Sequence, residues 1–202
     1  MARAHPGKRI ALYFQDEARF GQKGRSCRRW WLRGRRPVGP VDQRYTFAYV
    51  FAAVEPATGR DFCLVLPVVS TAAMNEFLRR FAATLPKDEH AVMVLDGAGW
   101  HTSQDLVVPP NVTLLRLPPY SPELNPVERV WLYLRERHLS HRVHDEYAAI
   151  VDALCDAWRR LTPQRLRSLC NYPWIRQVSE WTRRYKSLSQ KNFRPFGRPV
   201  HL

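Results

Sequence analysis

The sequence predicts a mixed α/β fold, a five-stranded sheet flanked by helices, and three observations carry the prediction. Short apolar runs rich in strand formers recur along the chain, a stripe of helical period separates the third run from the fourth, and further helical stripes close the series. With 202 residues, 45% of them apolar, the chain can bury a real core.

The elements follow in order. Ile10-Ala-Leu-Tyr-Phe14 is a strand-forming run ending in Gln15-Asp16-Glu17, so the expectation is a core strand that delivers acids at its C-terminal end. Arg25 to Arg36 crowds arginines around Trp30 and Trp31, with Gly34 and Pro37 as breaks, and reads as a basic hairpin or loop with one indole buried. Tyr45 to Val54 and Phe62 to Val69 are strands joined by a Pro- and Gly-containing reversal, which makes a three-stranded meander with the first. Met74, Phe77, Leu78, Phe81 and Leu85 recur at helical spacing across Thr71 to Leu85 and should cover one face of that sheet.

Ala91-Val-Met-Val-Leu95 is apolar throughout, the mark of a strand parallel to a neighbour, and it ends in Asp96-Gly97. Val112 to Leu117 is a fifth strand, followed by the Pro-rich loop Pro118 to Pro126. Asn125-Pro126 suits a helix start, as N-cap and first helical residue, with Val127, Val130, Trp131 and Leu134 behind it and Glu128 in the first turn. Tyr147, Ile150, Val151, Leu154, Trp158 and Leu161 signal another helix, after which the chain turns basic and loses periodicity. Residues 1–175 are therefore expected to form the folded domain and 176–202 a basic arm. The element order is that of an RNase H-like fold, one of several mixed α/β arrangements compatible with the pattern.

Thirty-two Lys and Arg against eighteen Asp and Glu give a net charge of +14, which points to a polyanionic partner, nucleic acid first. Cys27, Cys63, Cys155 and Cys170 lie far apart with no zinc-finger spacing and read as reduced, mostly buried thiols. No long apolar run or leader-like N-terminus is present, so the expectation is a cytoplasmic, nucleoid-associated protein without a membrane segment.

Three acids stand at element ends: Asp16, Asp96 and Glu128. Phosphodiester cleavage calls for such a set, because two divalent ions about 3.5–4 Å apart activate the attacking oxygen and stabilise the leaving one. Mg²⁺ takes hard oxygen ligands and keeps waters, so a few carboxylates and a phosphate complete its shell. Singly, each acid also reads as a turn residue or, for Glu128 three residues after Asn125, as a capping partner.

Tyr13-Phe-Gln-Asp-Glu17, Val94-Leu-Asp-Gly-Ala-Gly-Trp-His101 and Leu117-Pro-Pro-Tyr-Ser-Pro-Glu-Leu-Asn-Pro-Val-Glu-Arg-Val-Trp131 resemble the three signature blocks of mariner-type DDE transposases and their bacterial insertion-sequence relatives. The third block is the most specific. The resemblance runs from about residue 10 to residue 174. It implies an RNase H-like catalytic domain on which Asp16, Asp96 and Glu128 are the metal-binding and catalytic triad, with Mg²⁺ as cofactor and Mn²⁺ able to substitute. Glu17 and Glu123 are bystanders in this reading. It further implies cleavage of double-stranded DNA at element ends by activated water, then attack of the freed 3′-hydroxyl on target DNA, commonly at TA, by a homodimer and without a covalent enzyme intermediate.

By the same resemblance His101 occupies the family's histidine position and either orients the scissile phosphate or supports the Asp96 metal, with a purely structural histidine as the alternative. Gly97 replaces an asparagine common there. Asn125 reads first as a helix cap, and otherwise as a residue supporting the site or touching DNA. Arg28, Arg29, Arg33, Arg35 and Arg36 are expected to neutralise phosphates.

Family members usually carry a helix-turn-helix region ahead of the first acid, which here stands at residue 16. The expectation is a separately encoded N-terminal segment, or else a fragment or remnant. Two other readings stay open: a non-catalytic DNA-binding remnant that keeps fold and charge, and a basic RNA-binding protein without a metal site.

Overall fold

Strand β1 (Arg9–Gly21) forms the middle of the sheet, and its alternating side chains feed both faces. The computed structural model describes residues 5–22, 30–36, 38–39 and 42–177. They fall into two units, Met1–Cys170 and Asn171–Leu202. In the second, residues 173–177 form a short helix, and the rings of Tyr172, just before it, and Trp174 lie 6.3 Å apart. Nearly all of the arm expected at 176–202 lies outside the described residues.

The first unit holds a mixed five-stranded sheet in the order β3-β2-β1-β4-β5. Strands β2 (Phe47–Glu55) and β3 (Arg60–Leu66) extend β1 as the expected antiparallel meander. The reversal between them closes on Glu55, whose carbonyl accepts from Thr58 and Gly59, and Gly59 takes φ +75°, a conformation natural to glycine. β4 (Glu89–Leu95) and β5 (Val112–Arg116) run parallel to β1 on its other side.

Helix α1 (Thr71–Thr84) crosses from β3 to β4 with Ser70 as N-cap, its hydroxyl accepting from Ala73 N–H. It buries Met74, Phe77, Leu78 and Phe81 against one face of the sheet, where Phe81 meets Tyr13 edge-on at 4.9 Å and Phe77 lies 5.8 Å from Phe51. A short turn of helix, α2 (Gly99–Thr102), follows β4. The other face of the sheet is covered by α3 (Val127–Leu134) and α4 (Tyr147–Arg159), with Trp131 wedged between Phe20 of β1 and Trp158 of α4. A π-helical turn (Arg135–Leu139) prolongs α3, and α5 (Pro163–Leu169), capped by Thr162, packs Pro163 under Gly59.

The structure corrects two expectations. β1 does not stop at Phe14: it continues to Gly21 paired with β2, because Ala18 and Phe20 supply the alternate buried positions beneath Trp131. Asp16 therefore sits within a strand and not at its end. Both indoles of the basic segment are exposed, Trp30 fully and Trp31 by 49%, since residues 30–36 form no regular element and reach neither packed face. Among the described residues no helix is long and apolar enough to cross a membrane.

Candidate active site

The parallel register of β1 with β4 ends at Phe14 and Val94, so Asp16 and Asp96 lie two residues past the same pair on adjacent strands. Adjacent strands are about 4.8 Å apart, so the two acids occupy corresponding positions just past the paired part of neighbouring strands. β4 gives way to a loop at Asp96 while β1 runs on, and this difference leaves Asp16 beside the open end of β4.

Helix α3 supplies the third acid, and Asn125 fixes where that helix begins. Its Oδ1 accepts from Val127 N–H at 3.2 Å, an N-cap contact, and its Nδ2 donates to the Gln15 carbonyl at 3.0 Å, tying the helix start to β1 next to Asp16. The cap expected of Asn125 is thus present. It lies one residue ahead of the formal helix boundary, because Pro126 already has helical backbone angles. One turn later the Trp131 indole N–H donates to Asp16 Oδ2 at 2.8 Å, and the Glu17 backbone N–H donates to Asp16 Oδ1 at 2.9 Å. Glu128, at i−3 from Trp131 and so on the same side of α3, makes its charge felt at Asp16. Burial and the Glu128 carboxylate together push the Asp16 carboxyl up to about 8, against the pull of the Trp131 hydrogen bond.

Asp96 is differently placed. Its side chain is half exposed, and its Oδ1 accepts from Ala98 N–H at 3.0 Å and from His101 Nδ1 at 2.9 Å. The His101 hydrogen bond holds the Asp96 carboxyl below the usual carboxylate range, outweighing burial. His101, on α2 and 1% exposed, bridges outward from Asp96: its Nε2 lies 2.9 Å from Glu17 Oε1. Burial opposes charging of His101, but hydrogen bonds to Asp96 and Glu17 prevail and raise it to about 9. Glu17 Oε1 also accepts from Gln15 Nε2 at 2.9 Å and from the Trp100 indole N–H at 3.3 Å.

Of the expected acids, Asp16 and Glu128 are close enough to interact electrostatically, and Asp96 stands at the end of β4, the strand next to β1. Among the described residues no three His, Cys, Asp or Glu side chains are already gathered as a chelating group. Glu123, in the 3-10 turn Pro122–Leu124, is exposed. Arg33, Arg35 and Arg36 are exposed as a phosphate-binding segment requires, whereas Arg28 and Arg29 lie outside the described residues. Two participants do not stand out in the sequence. Glu17 reads there as a bystander, although strand alternation places it on the opposite face from Asp16, and Trp131 reads only as part of an apolar stripe. Trp131's spacing of three from Glu128 is the signal that could have found it.

Residues 11–150 match the family model described as DDE superfamily endonuclease. The chain belongs to this family. It is 48% identical over 118 residues to the uncharacterized protein y4pE/y4sA of Sinorhizobium fredii (strain NBRC 101917 / NGR234), covering 58% of this chain and 87% of that one. It is 27% identical over 132 residues to an uncharacterized 39 kDa protein of insertion element IS630 from Shigella sonnei, covering 62% of this chain and 38% of the relative. Among solved structures it resembles the Mos1 mariner paired end complex with Mn at TM-score 0.64 and 14% identity, over 91% of this chain and 57% of that one. The Mos1 strand transfer complex matches at TM-score 0.62 and 14% identity, over 91% and 56%. The fold of this DDE endonuclease-family chain is accordingly RNase H-like. It spans little more than half of the Mos1 chain and well under half of the insertion-element relative.

Proposed function

We propose that the chain is the catalytic domain of an insertion-sequence transposase, cutting double-stranded DNA at element ends and joining the freed strand to target DNA. Asp16, Asp96 and Glu128 hold Mg²⁺, or Mn²⁺ in its place. The observation that supports the reading is the interaction with Glu128 of Asp16, on the strand next to the one that ends at Asp96, with the Asp16 carboxyl pushed up to about 8 by burial and by Glu128. Such a pair of hard oxygen donors is held together against its own repulsion, and a divalent cation relieves that repulsion. The Asp16–Glu128 pair is therefore of the donor chemistry that such a metal takes.

Bound there, the metal supplies Lewis-acid polarisation of the scissile phosphate and of the attacking oxygen. The protein's share is to place ligands. Trp131 and the Glu17 backbone N–H orient the Asp16 carboxylate, Asn125 sets the helix that carries Glu128, and Ala98 and His101 orient Asp96. Buried and linked to Asp96, His101 is in place to support that ligand, one of the two roles the resemblance allowed. The net charge of +14 and the exposed Arg33, Arg35 and Arg36 supply attraction to phosphates, with Arg28 and Arg29 proposed to add to it. Action in the cytoplasm as a homodimer, with DNA ends recognised by a separate helix-turn-helix segment, completes the proposal. The complexes in which Mos1 was solved, with transposon ends and with Mn or Mg, support it by analogy of fold.

Mn²⁺ binding followed by electron paramagnetic resonance, together with nicking of DNA carrying the element's ends, tests this. Wild-type protein should bind and nick, and Asp96→Asn should lose both. DNA binding with no metal-dependent nicking, unchanged by that substitution, would make the chain a non-catalytic remnant instead.

A further inference from the structure

Glu17 is adjacent to Asp16 in sequence yet faces away from it, and its carboxylate gathers side chains from β1 and from α2. That side chain is 7% exposed, and its Oε1 receives Gln15 Nε2, Trp100 Nε1 and His101 Nε2. His101 in turn reaches Asp96 Oδ1 through its other ring nitrogen. The result is a continuous strut, Glu17–His101–Asp96, running from the middle of β1 across α2 to the end of β4. Asp96 needs such a brace: its side chain is 56% exposed and stands where β4 has already left the sheet.

We propose that Glu17 is a positioning residue of the active site, which through His101 locks the Asp96 carboxylate with Oδ1 turned toward the protein and Oδ2 left for the metal. The inference rests on the reading of Asp96 as a ligand. Glu17 itself is poorly placed to be one, because alternation along β1 puts it on the face opposite Asp16 and its Oε1 is taken by three donors. Nor does its burial by itself explain the arrangement. An acid serving only to satisfy Gln15 and Trp100 would not require a buried histidine whose second nitrogen ends on Asp96. Outer partners of this kind orient metal ligands through imidazoles, and losing them weakens metal binding on the order of 10- to 100-fold.

The test measures Mn²⁺ affinity by electron paramagnetic resonance on the full chain, with thermal melts to confirm folding. Glu17→Ala should weaken binding about 10- to 100-fold, whereas Glu17→Gln, whose Oε1 still accepts from His101, should stay within a few-fold of wild type. His101→Asn keeps an amide where Nδ1 meets Asp96 but cannot reach Glu17. It should lose affinity like Glu17→Ala, and the Glu17→Ala/His101→Asn double variant should lose no more than either single one. Should Glu17→Ala not fold, His101→Asn decides, since it leaves Glu17 in place. A folded Glu17→Ala that binds Mn²⁺ as wild type does, a His101→Asn that retains full affinity, or losses that simply add in the double variant would each overturn the strut. Asp96→Asn, run alongside, separates the two claims. If it leaves Mn²⁺ binding intact, the ligand reading fails, and if it abolishes binding while Glu17→Ala does not, only the strut fails.

Discussion

The indole N–H of Trp131 donates to Asp16 Oδ2 at 2.8 Å across 115 residues of sequence, so the first acid of the site is held by the helix that carries the third. Trp131 is 1% exposed and packed between Phe20 and Trp158. Trp131→Phe keeps an aromatic ring in that slot but removes the donor. It should cost about 1–3 kcal/mol by urea unfolding, through the missing hydrogen bond and the gap beside the smaller ring. Mn²⁺ affinity should fall with it, as measured on protein that still melts cooperatively.

At the opposite end of the sheet, Glu89 is buried at the start of β4 and pairs with both Arg9 and Arg60, which also hold Glu55 at 3.0 and 2.9 Å. Removing one member of a buried ionic group leaves the rest unbalanced. Both arginines are about a third exposed and partly screened. Glu89→Gln should therefore lower stability by about 2–3 kcal/mol, below the full cost of breaking a buried pair. A denaturation midpoint equal to wild type would show the cluster to be energetically idle.

Gly59 combines φ +75° with a position at which an added Cβ would meet the Pro163 carbonyl oxygen at 2.1 Å. Gly59→Ala must adopt a left-handed backbone and also displace α5. The left-handed conformation alone costs roughly 1–2 kcal/mol, so the melting temperature should drop by several degrees, and an unchanged Tm would mean that α5 moves freely.

His90 gives stability a pH dependence away from the acids. It is 2% exposed, stacked on His5 with centroids 3.6 Å apart, and its Nε2 lies 2.8 Å from Thr113 Oγ1. Burial, His5 and Lys8 lower its pKa. A histidine whose folded pKa is depressed resists protonation only in the folded state, so the unfolded chain binds more protons as pH falls through about 6.5. Stability contributed by neutral His90 is present above that pH and is lost on acidification. Asp16 and His101, raised in the folded state, work in the opposite sense over this range, so His90 shows as a difference: from pH 8 to 5 the denaturation midpoint of wild type should fall relative to that of His90→Gln.

Arg33, Arg35 and Arg36 lie on one exposed segment with Trp30 and Trp31. If they neutralise phosphates, replacing all three by alanine should weaken duplex binding regardless of sequence. The slope of log affinity against log salt should shrink by about 0.9 for every phosphate left without its arginine. A slope unchanged from wild type would exclude them from the interface.

Much of this architecture is legible in the residues. The stripe Met74, Phe77, Leu78, Phe81 and the apolar run Ala91–Leu95 fold as their periods require, since burial on one or both faces leaves them no alternative. The extent of β1 is not, because Gln15, Asp16, Glu17 and Arg19 interrupt the apolar run and only Ala18 and Phe20 mark its continuation. α5 and the π-helical turn after α3 leave short patterns with few buried residues. In the site, the three acids stand out through their motif blocks. What orients them is legible only in part: His101 falls within a motif block and Asn125 reads as a helix cap, whereas Glu17 and Trp131 act through hydrogen bonds to remote segments.

The hydrogen bond from Asn125 to Gln15 and that from Trp131 to Asp16 also join an early segment of the chain to one synthesised much later. A nascent chain that has reached the end of β5 already contains every strand of the sheet and two of the three acids. The third acid, the cap that aims its helix and the indole that holds the first acid all emerge afterwards, within seven residues of one another. A chain that stops short of α3 thus carries every strand but only part of the candidate site, which is complete only with α3 in place.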